Sequence, residues 1–110
     1  MKQPKEAPVA EEVAHYYLRD IEPPWKGFWF HMHSMARNLS EFAEGVQDIT
    51  DEVYNYHNSG QKQDFAAWVQ EVVGDSMLAR KLLAVSNKEE AAKVVQERVA
   101  ELKKALNRPS

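Results

Sequence analysis

No cysteine occurs among the 110 residues, which excludes disulfides, thiol nucleophiles and thiolate metal sites. No run approaches the ~20 apolar residues of a membrane span. The opening MKQPKEAPVAEE lacks the apolar core of a signal peptide. Basic charge is not in excess: 14 Lys and Arg face 17 Asp and Glu, for a net charge of −3. That balance argues against a general nucleic-acid binder, whose footprint is a basic face. A glycine-rich phosphate loop, G-x-S-x-G and H-E-x-x-H are missing, as are internal repeats. The expectation is an intracellular, cytoplasmic soluble domain that uses no cofactor and binds neither nucleic acid nor membrane.

With 44% hydrophobic and 28% charged residues, the chain has the composition of a globular protein. Its length makes one domain, able to bury roughly two thirds of its unfolded surface. Met1 to Pro8, with two prolines and two lysines, reads as a disordered tail before a single domain over 9–107. Val9, Val13, Tyr16 and Tyr17 space a first helix up to Asp20. Pro23-Pro24 ends it. The aromatic run from Trp25 to Phe30 and on to Met35 predicts an extended segment or short hairpin near 28–37. Packing on helices must support it, because a lone hairpin is marginal.

Four further start signals follow. Asn38 with Glu41 has the logic of a capping box, and Leu39, Phe42, Ala43 and Val46 share the face that follows. Thr50 precedes Asp51 and Glu52. Phe65, Trp68, Val69, Val72 and Val73 then take helical spacing. Gly74 is placed to stop that helix in the left-handed region and Asp75 to cap the next, whose apolar residues are Met77, Leu78, Leu82 and Leu83. Ser86 with Glu89 opens a last helix, about 87–106, ended by Asn107-Arg108-Pro109. Its Val95, Val99, Leu102 and Leu106 form a narrow seam suited to the domain itself or to a partner helix. The fold class is mainly α, about five helices with the aromatic hairpin. The expected core is Phe28, Phe30, Leu39, Phe42, Val46, Val53, Phe65, Trp68, Val69, Val72, Leu78 and Leu82.

From Phe28 to about residue 85 the chain resembles a small helical domain of unknown function found mainly in archaeal proteins. The matching pieces are Phe28 to Phe30, Asn38 to Phe42, Asp51 to His57, and Lys62 to Ala79. Two departures stand out: Gln63 replaces the asparagine before Asp64, and His31-Met32-His33-Ser34 replaces an acidic-glycine turn. That family has no assigned catalysis and occurs alone or appended to other proteins. The resemblance therefore implies an interaction or regulatory module.

Three groups of side chains carry candidate chemistry. His31 and His33 lie two apart, one face of a strand, and with or without His57 have ligand types that suit Zn²⁺, Ni²⁺ or Cu²⁺. Otherwise they are partly exposed residues beside an aromatic core. His57 and Asp64 can pair across the loop between them, either as an oriented base or as a tie holding the loop to the helix start. Trp68 reads as the anchor of the core, whereas Trp25 and Trp29 mark a partner surface if exposed. The helices either side of Gly74 look like a helix-turn-helix, but only Arg80 and Lys81 are basic there, among Asp64, Glu71 and Asp75. The reading is a non-catalytic interaction or accessory module acting through Trp25 and Trp29, the seam Val95, Val99, Leu102 and Leu106, or both, with homodimerisation if the seam is not packed internally. A histidine-based metal protein is the alternative.

Overall fold

A computed structural model describes residues 9–107. The tail expected over Met1 to Pro8, and the Arg108-Pro109 part of the terminal stop, lie outside the described residues. The chain is mainly α, with six α-helices and one two-stranded hairpin among the described residues, one helix more than the expected count. Helix α1 is Glu11–Leu18, with two acids in its first turn and only Ala14 buried. A 3₁₀ turn, Pro24–Lys26, leads into β1 (Phe28–His31), which pairs antiparallel with β2 (Ser34–Ala36). Then come α2 (Leu39–Asp48), α3 (Asp51–His57), α4 (Asp64–Trp68), α5 (Ser76–Ala84) and α6 (Lys88–Leu106).

The caps show how local sequence sets these boundaries. The Asn38 side chain accepts from the Glu41 amide at 2.8 Å, and Glu41 returns a bond to the Arg37 amide. Thr50 accepts from Val53, and Asp75 from Leu78. At α6 the expected cap moves by one residue. Asn87, not Ser86, accepts from Glu90, while the Glu90 carboxylate takes the Ser86 amide. The α4 helix does not run on regularly: Val69–Val73 widens into a π turn that ends at Gly74, φ 94°. Widening changes the angular spacing, so Val73 is fully buried and Val72 only half-buried. The guanidinium of Arg19 donates to the Val72 and Val73 carbonyls left over at this end.

Rings from four elements meet at the centre. Phe28 makes edge-to-face contacts with Phe42, Phe65 and Trp68, and Phe30 stacks on Phe42. Phe30 reaches α2 at Gly45, where an added Cβ would overlap its ring. Trp68 donates its indole N–H to the Lys26 carbonyl at 2.8 Å, fixing the start of the hairpin. Two expected core residues, Val53 and Val72, are only half-buried, whereas Ile21 is fully buried beyond expectation. Its amide donates to the Arg37 carbonyl, which draws the loop before the hairpin inward. Leu83 projects outward from α5 and Met77 is half-buried, so the inner face of that helix is Leu78, Ala79 and Leu82.

Helix α6 closes the other side, packing on α1, α2 and α5. Arg98 crosses to Asp75 with two bonds, at 2.7 and 3.1 Å, and reaches Glu101 at 2.8 Å. Asp75 is fully buried, so the pair joins α6 to the start of α5 inside the protein. Burial works against the Arg98 charge. Its hydrogen bonds and Coulombic contacts with Asp75 and Glu101 outweigh this and raise its pKa above the ordinary value.

Candidate functional site

The seam of α6 is interior. Val95, Val99 and Leu102 are buried within the monomer, and Leu106 lies half-buried against the same core. Helices α1 and α2, far away in sequence, supply the surface that a partner helix would otherwise have to supply. These four residues are thus removed from the partner surface.

The histidines separate. His57 is buried, with Nδ1 2.8 Å from Asp64 Oδ2 and Nε2 2.9 Å from the Phe30 carbonyl oxygen. Both ring nitrogens are engaged, so His57 does not complete a metal site with His31 and His33, which stand exposed on the hairpin. Among the described residues no three histidine, aspartate or glutamate side chains converge on a metal position. The His57–Asp64 pair forms as anticipated and ties the loop to the start of α4. Lys62 also reaches Asp64, at 3.3 Å. With Nε2 turned inward to the hairpin backbone, the ring offers no free nitrogen to a substrate.

The outward face of the hairpin is the remaining candidate. Along β1, Phe28 and Phe30 point inward while Trp29 and His31 point outward. Trp29 is paired across the ladder with half-buried Met35. Gly27 lies buried beneath Met35, and a Cβ at that position would overlap both the methionine and the Ala36 backbone. Trp25 on the 3₁₀ turn is 72% exposed, Trp29 48%, and Met32 at the hairpin tip 79%. Of the seven large apolar side chains exposed among the described residues, these three share the hairpin region, while Val13, Tyr16, Tyr56 and Leu83 are spread over three helices.

Beside the face a hollow of about 360 Å³ is lined by Phe30, His31, Glu52, Val53 and Tyr56. A smaller trough, about 250 Å³, lies between α4 and α5 over Ala66, Ala67, Ala79 and Leu83. Met32, Met35 and Tyr56 were not among the partner residues expected from sequence. The signal for the two methionines was the alternation of Phe28 to His31, which sends every second side chain outward and places Met32 in the turn. Compared with protein-family models, with curated proteins and with solved structures, the chain matches none of them.

Proposed function

We propose that this chain is a non-catalytic interaction module that engages a protein partner through the outward hairpin face of Trp25, Trp29 and Met32. One observation carries the reading: two tryptophans and a methionine are exposed in the hairpin region, while all four phenylalanines and the third tryptophan, Trp68, are buried. Exposed apolar side chains clustered in one place mark binding surfaces, and tryptophan is the residue most enriched where interface energy concentrates. The hairpin is also held firmly from below, by Trp68 on the Lys26 carbonyl and His57 on the Phe30 carbonyl. A face ordered before binding loses less conformational entropy on association. The resemblance to a domain without assigned catalysis belongs to the same reading.

The test is a Trp25→Ser, Trp29→Ser double variant. Its circular dichroism and melting behaviour stay close to those of the parent, and its binding to a partner identified with the parent chain is lost. Retained binding would move the function elsewhere on the molecule.

A further inference from the structure

Resting on the hairpin reading, we infer that the partner segment is a peptide combining apolar side chains with one or a few carboxylates. The hairpin region is free of acidic residues. The chain holds 17 acids and a net charge of −3, yet from Pro23 through Ser40 there is no Asp or Glu. That stretch contributes Lys26, His31, His33 and Arg37 instead. Arg37 is already occupied by Glu22 at 2.8 Å. Lys26, His31 and His33 are exposed, and among the described residues no carboxylate pairs with them. Glu52 lines the hollow together with His31.

Lys26 follows exposed Trp25 in the chain and precedes Gly27, which packs beneath Met35, so a carboxylate bound by Lys26 would lie on the same apolar stretch as an indole and a thioether. A few negative charges on an apolar segment suit this arrangement. A nucleic-acid strand, with a phosphate at each nucleotide, would meet an acidic protein and one free lysine on the face. An anionic bilayer meets the same repulsion, with little basic charge to offset it.

The experiment is selection from a random peptide display library against the whole immobilised chain, with the Trp25→Ser, Trp29→Ser variant as the subtraction. Peptides dependent on the two tryptophans are expected to be enriched in Asp or Glu together with Leu, Phe or Ile. A synthetic copy of the best peptide should blue-shift the emission of Trp25 and Trp29, and Trp68, buried, should contribute little. Lys26→Glu should weaken that peptide about fivefold or more, as should changing its carboxylates to amides. Tryptophan-dependent peptides that are neutral or basic would overturn the acidic assignment and leave the hairpin reading standing. No tryptophan-dependent peptide at all would overturn both. A tryptophan-dependent shift with a thymidine oligonucleotide or with phosphatidylglycerol vesicles, and none with the selected peptide, would assign the face to another class of partner.

Discussion

His57 shows what one side chain does in this fold. A carboxylate and a carbonyl both accept, so the ring satisfies Asp64 and Phe30 together only when each nitrogen carries a proton. Replacing His57 by Ala leaves the Phe30 carbonyl without its partner and opens space among rings. Urea unfolding should show a loss of about 2–4 kcal/mol. Gly45→Ala gains helix propensity but drives a methyl into the Phe30 ring, so a net loss of about 1–3 kcal/mol is expected. Tyr54 gives a pH prediction. Burial first, then the Glu90 carboxylate, push its phenol above the ordinary 10.0. Folding favours the neutral phenol, so its contribution is complete below that value and is lost as pH rises through the higher folded value. Alkaline titration of stability should fall less steeply in Tyr54→Phe, and identical slopes would refute the effect. The bond from His57 to Asp64 was legible in sequence because seven residues separate them. The bond to Phe30 spans 27 residues, and nothing local announces it.

Among the elements, α6 separates what periodicity can tell from what it cannot. The spacing of Val95, Val99, Leu102 and Leu106 specified a helix and its apolar stripe. Whether that stripe meets the same chain or another is decided by where α1 and α2 lie. Leu102 is fully buried, so Leu102→Asp places an unpaired charge in the core and should unfold the protein, at a cost of more than about 4 kcal/mol. Thermal melts check this, and a folded Leu102→Asp monomer would contradict it. The start signals were legible as well, because a cap and its target lie within one turn. Asn87 displaced Ser86 within a run where both are capping residues, a shift inside the usual uncertainty of helix ends. The π turn at Val69–Val73 was not legible. It ends at the left-handed Gly74, with Arg19, just past the end of α1, holding the Val72 and Val73 carbonyls. Asp75 was recognisable as a cap, but not as the partner of an arginine 23 residues on. Arg98→Ala should cost about 3–5 kcal/mol, because it leaves the Asp75 charge buried and unpaired. Equilibrium unfolding of Arg98→Ala, compared with the parent, checks that value.

For the molecule as a whole, the aromatic residues divide into two sets that composition could not distinguish. Phe28, Phe30, Phe42, Phe65 and Trp68 close the core, whereas Trp25 on the 3₁₀ turn and Trp29 on β1 are exposed. The mainly α class and the hairpin near residues 28–37 were readable from hydrophobic spacing and turn chemistry. The exposure of the two tryptophans was not, since it depends on how the strand lies on α2 to α4. That outward face is the proposed docking surface. The most direct measurement is site-specific photocrosslinking in cells expressing the full chain, with benzoylphenylalanine at position 29 and, separately, at exposed Ala100 on α6. A discrete crosslinked protein is expected at position 29, absent at position 100 and lost with Trp25→Ser. Crosslinks at position 100 and none at position 29 would contradict it.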